Sequence, residues 1–67
     1  MIVKKEDVVL FIYGMNSFSG VKEGIGVVIA KQRVGREWIY WIKNEKTSII
    51  TSIEKWQIRS NVTRKRG

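Results

Sequence analysis

The chain has no cysteine, no histidine and no proline. Without thiols there is neither a disulfide framework nor a thiol nucleophile, and without imidazoles neither a zinc knuckle nor an imidazole base. Long apolar runs are missing too. No stretch approaches the roughly 20 residues that span a bilayer, and the apolar segment after Asp7 is too short and too poorly followed to serve as a signal peptide. The expected location is therefore cytoplasmic, with no membrane partner, no metal and no cofactor. Acidic groups are scarce as well: six Asp or Glu stand against thirteen Lys or Arg, a formal net charge of +7.

What is present is enough for one small fold. A chain of 67 residues makes a single domain, and folding at this size buries only about 60% of the surface exposed by the unfolded chain. A hydrophobic fraction of 43% with 28% charged residues is globular rather than disordered. The positive charge is uneven. Residues 1–33 carry five cations and three anions, residues 34–67 eight and three, so the second half is the electropositive one.

Apolar residues recur at strand spacing. The β-branched and aromatic run from Asp7 to Tyr13 predicts a first strand that stops at Gly14. Residues 14–26, with Asn16, Ser17, Ser19, Gly20 and Gly24, predict a long loop or a loose hairpin. A second strand is expected from Gly26 to Arg33, with Gly24 and Gly26 suited to a bend or bulge at its start. After the short connection Val34-Gly35-Arg36, a third strand from Glu37 to Lys43 places Trp38, Tyr40 and Ile42 on one face and Ile39, Trp41 and Lys43 on the other. A tight Asn44-Glu45-Lys46 hairpin is expected to lead into a fourth strand from Thr47 to Thr51. The spacing of Thr51 and Glu54 suggests a capping box and one helical turn. A short last strand, Trp56 to Arg59, would complete a domain over residues 1–59, followed by a basic, frayed tail over 60–67.

Five short strands with a single helical turn before the last fit a small closed or half-closed barrel better than a sandwich. The order of elements resembles the SH3-like small β-barrels, a group that includes KOW and Tudor modules. The resemblance rests on Asp7-Val8-Val9, on Glu23 to Val28, on Trp38-Ile39-Tyr40-Trp41 and on the turn Ile53-Glu54-Lys55 before Trp56. It implies an all-β, five-stranded barrel over residues 7–59. It does not imply the proline-peptide groove of signalling SH3 domains, whose acidic first loop is reduced here to Glu23. Residues 48–59 are also loosely similar to a plasmid-type dihydrofolate reductase of SH3-like fold, but no matching site motif is present.

An enzyme is not expected. Glu6, Asp7, Glu23, Glu37, Glu45 and Glu54 mostly neighbour a Lys or Arg, as solvated charges do, and no pair marks a dry cleft. Gly20, Gly24 and Gly26 lack the spacing and setting of a phosphate-binding fingerprint. Nucleic acid suits the charge pattern better, because Lys and Arg that neutralise phosphates release condensed counterions and nearby aromatic rings stack on bases. The expected nucleic-acid-binding residues are Lys31 and Arg33 at the end of the second strand, Arg36 in the turn, Trp41 and Lys43 on the outer face of the third, Arg59, and the tail residues Arg64, Lys65 and Arg66. Trp38, Tyr40 and Trp56 are assigned to the core. Basicity alone also suits an acidic protein surface or an anionic membrane. An apolar outer face of Ile39, Trp41, Val27 and Ile29 would favour a homodimer or a protein partner, as for an adaptor or small inhibitor.

Overall fold

A computed structural model describes residues 2–15, 18 and 20–63. The protein is all-β. Its five strands are β1 (Val8–Tyr13), β2 (Lys22–Val34), β3 (Glu37–Asn44), β4 (Ile50–Glu54) and β5 (Ile58–Asn61), with a 3-10 turn, Lys55–Gln57, before the last. They form one antiparallel sheet in the order β4-β3-β2-β1-β5. The sheet is open rather than closed, because among the described residues β4 pairs only with β3 and β5 only with β1.

Period-two alternation selects the core. Val9 and Phe11 of β1, Val28 of β2, Tyr40 and Ile42 of β3, Ile53 of β4 and Ile58 of β5 are buried together with Val3, and Trp38 packs against them half-buried. Register explains the grouping: Val28 lies opposite Ile42, Tyr40 opposite Ile53, and Phe11 opposite Ile58, so the inward residues of neighbouring strands meet on one face. Gly24 and Gly26 stand inside β2 opposite Phe11 and Val9, not at a bend before it. An added Cβ on Gly24 would come within 3.2 Å of both the Phe11 and Tyr13 rings. The missing side chain therefore makes room for this aromatic pair, whose ring centroids are 5.5 Å apart.

Local hydrogen bonds move several boundaries. β2 begins at Lys22, so the expected long loop is shortened by a ladder from Tyr13↔Lys22 to Val8↔Val27. Between β2 and β3 only Gly35 and Arg36 remain. Gly35, with φ of +63°, occupies the first central position, as a two-residue hairpin demands. The next connection is longer than expected. The Asn44 Oδ1 accepts the backbone N–H of Lys46 at 2.8 Å and of Thr47 at 3.2 Å, and Ser48 adopts a φ of +63°, so residues 45–49 are held as a loop despite their β-branched content. β4 therefore starts at Ile50, and Thr51 is a strand residue, not an N-cap. The capping box lies three residues later: Glu54 is the N-cap and Gln57 its partner, the Gln57 Oε1 accepting the Glu54 N–H at 3.1 Å. Gln57 Nε2 also donates to the Ile12 carbonyl at 3.0 Å, tying the turn to β1.

β5 accordingly runs to the buried Asn61, and beyond it Val62 N donates to the Val8 carbonyl while Thr63 Oγ1 accepts the Val8 N–H. Of the tail expected over 60–67, Ser60 and Asn61 thus belong to β5, Val62 and Thr63 are tied to Val8 just beyond it, and 64–67 lie outside the described residues. Asp7 is buried rather than solvated. Its Oδ2 accepts both the Lys4 N–H and the Asn61 side-chain amide at 2.9 Å, joining the two ends of the chain.

Burial also raises the Tyr40 hydroxyl above the ordinary tyrosine value of 10.0. The unfolded chain then ionises first. This contribution to stability is complete below the unfolded value and is lost as pH rises through the folded one. Tyr40→Phe is expected to flatten the fall in melting temperature between neutral pH and pH above about 10, read by thermal melts across that range; an unchanged alkaline fall would contradict it.

Candidate nucleic-acid interface

The hairpin end of the sheet gathers two indoles and four cations. Trp38, second residue of β3, points to the core face but is only half-buried, and the Lys31 Nζ lies 4.9 Å from its ring centroid. Cation–π contacts at exposed sites contribute about 0.5–1 kcal/mol, so Lys31 both shields this ring and leaves its charge beside it. Trp56 sits in the middle of the 3-10 turn. Because Gln57 next to it is turned inward to bond Ile12 and Glu54, Trp56 is turned outward and is 61% exposed. Both indoles line one groove of about 300 Å³, together with Arg36, Glu37, Glu54 and Lys55. Within the groove two cations balance two carboxylates. Lys31 and Arg33 on the adjoining β2 strand, with Arg33 opposite Trp38, make the whole end four positive to two negative.

The structure brings the described residues among those expected together only in part, Lys31 and Trp41 lining one groove. The β2–β3 register slips by one residue at Ile29, between Val28↔Ile42 and Ala30↔Trp41. That slip reverses which β2 side chains share a face with which β3 side chains. Lys31 and Arg33 fall in register with Tyr40 and Trp38, whereas Trp41 and Lys43 stand on the opposite, outer face. Trp41 is half-covered there, in a groove with Ile29, Ala30 and Ile50 that Lys31 and Gln32 also line. Arg36 is exposed in the hairpin beside Trp38. Arg59 is exposed on β5, where it is the extra residue of a second register slip, and two strands separate it from β3. Arg64, Lys65 and Arg66 lie outside the described residues.

Trp56 is therefore the main correction: an indole assigned to the core is the exposed one. Its signal was present in the Glu54-to-Gln57 spacing, which places residue 56 in a turn, where alternation does not apply. Lys55 was missed for the same reason. A larger groove of about 610 Å³ at the opposite end of β3 involves Glu23, Glu45 and Lys46 along with Tyr13 and Ile25. Two carboxylates against one lysine make it a poor phosphate site. No family model matches the chain, and no curated protein and no solved structure matches it either.

Proposed function

We propose that this protein is a non-enzymatic binding module of SH3-like type that takes single-stranded nucleic acid at the hairpin end of its sheet. The meander order with a 3-10 turn before the last strand supports the SH3-like reading. One observation carries the functional one: the exposed indole of Trp56 lines a groove together with a second indole, Trp38, and with Arg36 and Lys55. An unpaired base has two π-faces and fits such a groove without sequence preference, whereas a base inside a duplex presents no face to it. Lys31, Arg33, Arg36 and Lys55 would then meet the flanking phosphates. DNA and RNA share these features, so the reading covers both, in the cytoplasm.

Trp56→Ala leaves the buried core untouched and is expected to weaken binding of a labelled single-stranded oligonucleotide by about fivefold to 150-fold, the equivalent of roughly 1–3 kcal/mol of stacking. Binding by the unaltered protein should quench indole fluorescence. Its logarithmic salt dependence should have a slope of about −3 if the four cations are engaged. Equal affinity for duplex and single strand, or binding indifferent to both salt and Trp56→Ala, would overturn the proposal.

A further inference from the structure

The two edges of the open sheet are not alike. β5 has four residues, a register slip and the exposed Arg59, all features that discourage another strand from pairing. β4 has five residues with no slip, and from Thr47 to Glu54 the sequence contains no Lys, Arg or Pro. Beside it Ile49 and Ile50 are 62% and 53% exposed. Ile50 continues across the outer face into a mainly apolar groove of about 530 Å³ lined by Ile29, Ala30 and Trp41, with Lys31 and Gln32 beside them.

The backbone of β4 is also oriented for pairing. Glu54 N–H points away from β3, since it donates to Gln57, while the Ile49 carbonyl points toward β3 and accepts the Asn44 N–H. Alternation along a strand then turns the N–H and C=O groups of Ile50 and Ser52 outward. We infer that β4 is the interface of a two-fold homodimer, pairing antiparallel with β4 of a second copy about Thr51.

In that register Ile50 exchanges two hydrogen bonds with Ser52 of the partner subunit, and Ser52 exchanges two with Ile50 of the partner subunit. A single ten-stranded sheet results. Because Ser52 lies opposite Trp41 within one copy, the partner's Ile50 comes beside Ser52 and covers the edge of that indole. Charge selects a second copy of this chain as the occupant. Two molecules of formal charge +7 repel wherever cations face each other, and the strand itself carries none, the nearest being Lys43 across the ladder and Lys31 in the adjoining groove. Antiparallel pairing also sets the Glu54 end of one strand toward the partner's Ile50 end, which is flanked by Lys43 and Lys46. The pairing rests on the β4 edge alone and does not depend on nucleic-acid binding, although Glu54 belongs both to β4 and to the Trp38–Trp56 groove.

The test is sedimentation velocity over a dilution series without nucleic acid, on the unaltered protein, Ile50→Lys and Ser52→Pro. Ile50 is exposed and the Ser52 N–H is outside the β3–β4 ladder, so both variants should keep the far-UV circular dichroism of the parent. The expected result is a dimer that dissociates on dilution and persists in high salt, with both variants monomeric. A parent that stays monomeric throughout, a species larger than a dimer, or a dimer that survives both substitutions would overturn the inference. If one variant loses its fold, the other decides.

Discussion

Gly26→Ala should abolish cooperative folding at room temperature. Gly26 lies in β2 opposite Val9 on one side and Asn44 on the other. An added Cβ would collide with the Lys43 carbonyl oxygen and come within 2.7 Å of the Ile42 Cγ2. The first obstacle is backbone and cannot rotate aside, so relief requires β2 and β3 to part. Overpacking a core with side-chain atoms costs about 1–3 kcal/mol, and a clash with a ladder carbonyl belongs above that range. The whole stability of a domain this size is only about 3–10 kcal/mol. Circular dichroism and a thermal melt would check this, with Gly20→Ala as control: that position has a φ of +82° but nothing within 4 Å of the new methyl group. The control should cost about 1 kcal/mol. A Gly26→Ala melt as sharp and as high as the parent's would show that the strands can separate slightly at little cost.

Asp7→Ala should have the second largest effect. The buried Oδ2 of Asp7 holds the Asn61 side-chain amide and the Lys4 N–H, each at 2.9 Å, and the same Asn61 amide donates to the Ile2 carbonyl. These bonds clamp the N-terminal segment, with Val3 in the core, to the last strand. Alanine withdraws the acceptor and leaves two donors in a place with little access to water. Hydrogen bonds to charged groups contribute about 1.5–3 kcal/mol, and a stranded donor adds its own desolvation cost. At roughly 4–8 °C per kcal/mol for a domain of this length, the melting temperature should fall by about 10 °C or more. Asp7→Asn, which retains an acceptor oxygen, should fall less. A urea melt placing Asp7→Ala within experimental error of the parent would show that water or another group replaces the carboxylate.

The two substitutions fall where the sequence was legible to different degrees. Alternation in β3 correctly placed Trp38, Tyr40 and Ile42 on one face, the core face, because a strand with one buried face writes its register into every second residue. It failed where side chains replace backbone partners. Asn44, Gln57 and Asp7 each take hydrogen bonds that a propensity reading assigns to strand or solvent, and so β4, the 3-10 turn and β5 all begin later than their β-branched content suggests. The candidate site suffered from the same limitation. Lys31, Arg33 and Arg36 were legible as cations near an aromatic strand. The single extra residue at Ile29 decided which indole they accompany.

By itself the sequence determined the fold class, the strand count, the inward face of β3 and the excess of positive charge, since these follow from composition and from a period that is local to each strand. Only the tertiary structure decided that the sheet stays open, that Trp56 is the exposed indole, and that β4 offers the unguarded edge. Those outcomes depend on register between segments distant in sequence. One inserted residue or one long-range side-chain hydrogen bond reverses a face, and neither leaves a periodic trace along the chain.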